Sequence, residues 1–157
     1  MKMNKVRLSD SQIKKIDMTL NIFKCQIGLY ESIKNDPIGL DTFFSLNRNP
    51  LFDLTGISYF RTGLESDGVI AGGKAVHDHF IQRKHAMKIL FEKLSEDNDM
   101  TLDEFIVFLV EYGSTVAITK EEHQVVTLRA KNTTDLNYEL YEQCGIVIEG
   151  LDKMIPL

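Results

Sequence analysis

Lys74-Ala75-Val76-His77-Asp78-His79-Phe80-Ile81-Gln82-Arg83-Lys84-His85 carries three of the four histidines of the chain, one carboxylate beside a central imidazole, and three fixed positive charges. Gly72 and Gly73 precede it and an amphipathic run continues it to Leu94. The glycine pair predicts a tight turn between two short strands, Val69-Ile70 and Ala75-Val76. The second strand would deliver His77, Asp78 and His79 at its end. From Gln82 the period changes: Met87, Leu90, Phe91 and Leu94 share one face of a helix over 82–94. A strand that hands over to a helix within a dozen residues makes the fold α+β instead of all-helical.

Downstream of this junction, Ser95 to Asp99 is an acidic loop, and Thr101-Leu102-Asp103-Glu104 is a capping box opening a helix to about Tyr112, with Gly113 as its stop. Thr115-Val116-Ala117-Ile118 is short and β-branched, as a buried strand requires. Thr119-Lys120-Glu121-Glu122 is a further capping box that ends this strand and starts a helix to about Lys131. His123 falls in the first turn of that helix. Asp135 opens a last helix through Gln143, closed by Gly145, and Ile146-Val147-Ile148 is strand-like.

Upstream, Ser9-Asp10-Ser11-Gln12 is also a capping box. Ile13, Ile16, Leu20, Phe23, Ile27 and Tyr30 follow three and four apart on one stripe, which Ile22, Cys25, Leu29 and Ile33 widen. Asp36-Pro37 stops the helix, since a residue before proline avoids the helical region. The spacing therefore predicts a long helix over 10–35. Its stripe fits packing on its own domain, or a homodimer seam through helix 10–35; three heptads are short for a stable coiled coil. Between 38 and 63, Leu40 to Leu46 has the length of a short helix, and Asn47-Arg48-Asn49-Pro50 is a turn signal. Tyr59-Phe60-Arg61 brings aromatic residues that suit a core.

At 157 residues the chain fits a single domain, 1–157, helix-rich with a few short strands. The hydrophobic fraction of 43% and charged fraction of 26% are those of a globular protein. No apolar run is long enough to span a membrane, so no membrane partner is expected. Cys25 and Cys144 are isolated, which points away from a disulfide framework and from a cysteine zinc cage, and toward a reducing, cytoplasmic setting. The net charge of −5 disfavours a nonspecific nucleic-acid coat. The charges are uneven, however: residues 71–88 carry Lys74, Arg83, Lys84 and Lys88 against Asp78 alone, so a local basic face is compatible with an acidic total.

An Asp-His pair at a strand end offers an oxygen ligand for a divalent cation and an imidazole that can accept a proton near neutral pH. His123 would add a nitrogen ligand, which suits Zn²⁺, Mn²⁺ or Ni²⁺ better than Mg²⁺. Arg83 or Lys84 would stabilise charge on a phosphorane-like transition state. Both side chains of the pair reach one point only if the strand ends or distorts at Asp78, because neighbours on a strand face opposite ways. The plain alternatives are an imidazole hydrogen-bonded at a strand end and an aspartate capping the next helix.

Asp78-His79, the helix after it, and the distant strand leading into Thr119-x-Glu121-Glu122-His123 resemble a divergent HNH, or ββα-metal, endonuclease. More specifically they are similar to the small phage-encoded nucleases of the homing type. The resemblance spans 75–148 and leaves 1–70 unassigned. It implies metal-dependent hydrolysis of DNA phosphodiesters, with His79 as general base, Arg83 assisting, and Asp78 and His123 as ligands of a divalent metal, Mg²⁺ or Mn²⁺. DNA would be contacted through Lys74, Lys84 and Arg129. The family's middle asparagine has no clear counterpart here, and its Cys-x-x-Cys zinc knuckles are absent. The competing expectations are a non-enzymatic helical interaction protein of a phage or mobile element, docking through helix 10–35, and a DNA-binding module using the basic N-terminal segment.

Overall fold

The computed structural model of the chain describes residues 8–55 and 60–156, with the backbone alone for 48–55. Lys2, Lys5, Arg7 and Tyr59 lie outside the described residues. In chain order the elements are α1 (Asp10–Cys25), α2 (Ile27–Ile33), α3 (Pro37–Thr55), β1 (Arg61–Glu65), α4 (Asp67–Ile70), β2 (Ala75–His79), α5 (Arg83–Glu96), α6 (Leu102–Gly113), β3 (Thr115–Thr119), α7 (Lys120–Ala130) and α8 (Asn137–Gln143). A 3-10 turn, Leu151–Lys153, follows. The result is the expected helix-rich α+β arrangement with one small sheet.

The sheet has the order β1-β3-β2. β3 runs parallel to β1 and antiparallel to β2, with Asp78 opposite Val116 and His79 opposite Thr115. Every residue of β3 is buried, as suits a central strand of small and β-branched residues without a charge. On one face Val116 and Ile118 join Val126 of α7, Leu140 and Tyr141 of α8, and the C-terminal Ile146, Ile148 and Leu151 in a core beneath the sheet. A second core belongs to the helices alone. Ile16, Leu20 and Phe23 of α1, Tyr30 of α2, Phe43 and Phe44 of α3, Leu90 and Phe91 of α5, and Phe105 and Leu109 of α6 close on each other. Tyr112 packs against both cores.

Each of the three capping boxes forms as expected, at Ser9 with Gln12, Thr101 with Glu104, and Thr119 with Glu122. In each the hydroxyl accepts the backbone N–H three residues on, and the carboxylate or amide reaches back.

Four expectations are corrected. The helix over 10–35 is two helices, broken at Gln26, whose side-chain oxygen is buried without a hydrogen-bond partner. Ile22, Cys25 and Leu29 do not widen the inward stripe but face out. Residues 47–50 do not turn; α3 runs through them, with buried Asn47 donating its side-chain N–H to the Phe43 carbonyl at 3.0 Å. Val69-Ile70 is not a strand but the end of the short helix α4, capped by the Ser66 hydroxyl on the Val69 N–H. The partner of β2 is β3 instead, and β1 is the third strand. Gly63, at φ +79, lies within the irregular register of β1 against β3.

Candidate functional site

β2 is antiparallel to β3, and β3 leads without a loop into α7. The Thr119 capping box makes that handover: its hydroxyl accepts the Glu122 N–H at 3.1 Å while Glu122 accepts the Thr119 N–H at 2.7 Å. One turn into α7, His123 therefore folds back over the sheet. Its Nε2 lies 3.5 Å from Oδ1 of Asp78 on β2. The pair opens to solvent on the histidine side, with the His123 side chain 45% exposed and that of Asp78 only 11%.

The other oxygen of Asp78 is held from α8. The Tyr141 hydroxyl donates a short hydrogen bond to Oδ2, and the Asn137 side-chain N–H donates to the same oxygen at 3.4 Å and to the His79 carbonyl at 2.8 Å. Asn137 and Tyr141 are four apart on one helix, so both meet the end of β2. Gln82 fixes α8 in place. Its side chain donates to the Asp135 carbonyl at 2.8 Å and accepts the Asn137 N–H at 3.0 Å. Burial raises the pKa of the Asp78 carboxyl above the ordinary aspartate range, against the opposing pull of the Tyr141 hydrogen bond, His123 and Arg83. Burial and the adjacent Asp78 raise Tyr141 well above an ordinary phenol.

His79 is the last residue of β2, and the ladder continues through it to Thr115. The strand therefore does not break at Asp78, and alternation turns the His79 and Asp78 side chains to opposite faces. Burial, with the charge of Arg83 added, lowers the His79 pKa to about 4, so the imidazole is neutral at pH 7. Arg83, the first residue of α5, lies four residues beyond His79, and its charge acts on both His79 and Asp78.

Of the expected DNA contacts, Lys74 is exposed just before β2. Lys84 forms a close ion pair with Asp41 of α3, and Arg129, in the last turn of α7, donates from Nε to the Gln143 side chain at 3.0 Å.

No family model matches this chain. Neither a curated protein nor a solved structure is significantly similar to it.

Two adjacent ligands of one ion, each at about 2.0–2.2 Å, stand roughly 3–3.5 Å apart. The Asp78–His123 separation of 3.5 Å is at the upper end of that span, so the pair can share an ion. Tyr141 and Asn137 orient the carboxylate from behind, as hydrogen-bonded supports of metal ligands do. Among the described residues no group of three His, Cys, Asp or Glu side chains stands ready for a metal. An ion held here would take most of its remaining ligands from solvent or substrate. Sequence reasoning missed Asn137 and Tyr141. Their i, i+4 spacing was visible, but the partner they serve is 59 and 63 positions away in the chain.

Among the described residues no helix is long and apolar enough to cross a membrane.

Proposed function

We propose that the chain is a metal-dependent endonuclease hydrolysing DNA phosphodiesters at the C-terminal end of β2. The observation that carries this function is the return of His123 onto Asp78 across a β2–β3–α7 unit, with nitrogen and oxygen at 3.5 Å. Asp78 and His123 would hold a divalent ion, Mg²⁺ or Mn²⁺, which when bound polarises the phosphodiester and steadies the leaving oxygen. Tyr141 and Asn137 keep the carboxylate in one rotamer. His79 is neutral at pH 7, the form that accepts a proton from water. Because His79 faces away from Asp78, the scissile phosphate would sit off the strand end, within reach of the Arg83 charge that acts on both residues and would balance the developing charge.

A nicking assay on supercoiled plasmid with Mg²⁺ or Mn²⁺ tests this. The wild-type chain is expected to nick. Asp78→Asn and His123→Ala should abolish nicking while leaving the circular-dichroism spectrum intact, and His79→Ala should slow it by about a hundredfold or more. Nicking by the wild type that survives all three substitutions removes the assignment.

A second reading has one observation in its favour. Met18, Ile22 and Leu29 on the outer side of α1 and α2 are 53–55% exposed, beside the exposed Cys25. A helical interaction protein, or a homodimer through this face, would use such a surface. Light scattering of wild type against Ile22→Glu separates the two: a dimer lost on substitution favours the interface, and a monomer in both removes the homodimer.

A further inference from the structure

The face of the sheet opposite Asp78 is not covered as the first is. Arg61 and Glu65 of β1 and Ala75 and His77 of β2 are exposed along it. Between them run Thr115 and Ala117 of β3, 4% and 6% exposed. The register sets two rows across this face: His79–Thr115–Arg61, and His77–Ala117–Glu65. Residues directly opposite in a ladder share a face, and the Arg61 charge acts on His77, as neighbouring rows on one face require.

Thr115 is the anomaly in this arrangement. Its hydroxyl is buried and has no hydrogen-bond partner. Its backbone carbonyl is engaged, accepting from the Thr62 hydroxyl at 2.9 Å, yet the side chain has nothing. An orphaned buried hydroxyl is costly and uncommon in native structures. Valine has the same shape and would fill a central strand position without that cost. Beside the orphan stands Arg61, an exposed guanidinium with no carboxylate within ion-pair distance among the described residues. The register therefore brings donors from three strands to one face: a guanidinium, a hydroxyl and the imidazoles of β2.

We infer that this face binds a phosphate group, with the Thr115 hydroxyl and the Arg61 guanidinium as its principal donors and His77 beside them. A tetrahedral group with several acceptor oxygens and negative charge matches a fork-shaped cation next to a single hydroxyl. Glu65, at the far end of the second row, confines the anion to the Thr115 end. The inference rests on the orphaned hydroxyl and the register. It stands whether or not Asp78 and His123 hold an ion, since they lie on the other face.

The chemistry is shared by free phosphate and by a phosphodiester of a nucleic acid strand, and titration followed by amide chemical shifts distinguishes them. Inorganic phosphate and a single-stranded DNA octamer are added separately, in EDTA so that no metal contributes. Shifts centred on Thr115, Ala117 and His77 are expected with at least one probe. Saturation by phosphate alone assigns the site to a small phosphate compound, and saturation by the octamer at lower concentration assigns it to a strand. Thr115→Val and Arg61→Gln should each weaken the binding about tenfold, the worth of a charge-assisted hydrogen bond. Thr115→Val should at the same time raise the melting temperature, because an unpartnered polar group has been removed from the interior. His123→Ala should leave these shifts unchanged while abolishing plasmid nicking, so that the two readings fail separately. Shifts that map elsewhere, binding indifferent to both substitutions, neither probe shifting this face, or a lower melting temperature in Thr115→Val would overturn the phosphate site.

Discussion

Asp78 is a carboxylate that the chain surrounds with donors instead of removing. Tyr141 and Asn137 take one oxygen and His123 faces the other. Tyr141→Phe leaves the ring in the sheet core but withdraws the hydroxyl, so a buried carboxylate loses its strongest hydrogen bond. Urea denaturation should show a loss of about 1–3 kcal/mol. No measurable loss would mean that the hydroxyl contributes little to holding Asp78. His79 makes a pH-dependent contribution. Its folded pKa of about 4 lies below the ordinary 6.5. Between those values the unfolded chain binds the proton and the folded chain does not, so stability falls as the pH drops from about 6.5 to about 4, by up to about 3 kcal/mol. Asp78 works in the opposite sense: its raised pKa means that the folded chain takes up a proton more readily than the unfolded one, which offsets part of the loss. Replacing His79 with Asn should flatten the acid side of the stability curve, and an NMR titration of the wild type should place the His79 midpoint near 4. A midpoint near 6.5 would show the imidazole to be solvated.

Glu122 is where the elements are tied to one another. It closes the Thr119 box and also accepts the Ser66 hydroxyl at 2.6 Å, linking the start of α7 to the cap of α4. The turn after α4 lies so close that a Cβ on Gly73 would stand 2.5 Å from Thr119 Cγ2 and 2.8 Å from the Gly68 carbonyl oxygen. The second contact is backbone and cannot swing aside. Gly73→Ala should therefore cost more than Thr119→Ala, which loses one cap worth about 1 kcal/mol. Thermal melting of the two variants measures the order, and equal melting temperatures would show that the turn gives way freely. The boxes were visible in the sequence because capping is a local exchange between residues three apart. The breaker signal at 47–50 fails for the opposite reason. Asn47 and Pro50 are breakers by propensity, but Phe43 and Phe44 bury their rings from the same helix, and packing outweighs a local preference.

At the scale of the molecule, two cores meet at Tyr112, one made by helices alone and one beneath the sheet. Phe91 sits at the centre of the first. Its ring meets those of Phe43 at 4.7 Å, Tyr30 at 5.5 Å and Phe23 at 5.6 Å, so α1, α2 and α3 all close on α5. Phe91→Ala should lose about 3–5 kcal/mol in chemical denaturation. A loss under about 1 kcal/mol would mean that the four helices do not share one core. That helical layer separates β2 from β3 in the chain by two full helices, α5 and α6, yet the strands pair.

What the sequence alone determined is local. Periodicity gave the helix 83–96 within a few residues, capping boxes gave the helices 102–113 and 120–130 and fixed three helix starts, and a short run rich in β-branched residues marked the central strand. It also singled out Asp78 and His123. Tertiary structure alone decided that these two meet, that His79 turns to the other face, that Tyr141 and Asn137 complete the carboxylate's surroundings, and that 61–65 is a strand. Local signals are carried by residues one helical turn apart, whose contacts are set by backbone geometry. Strand order, the face a side chain takes and the partners of a buried carboxylate depend on which distant segments exclude water together, and no spacing within a segment encodes that.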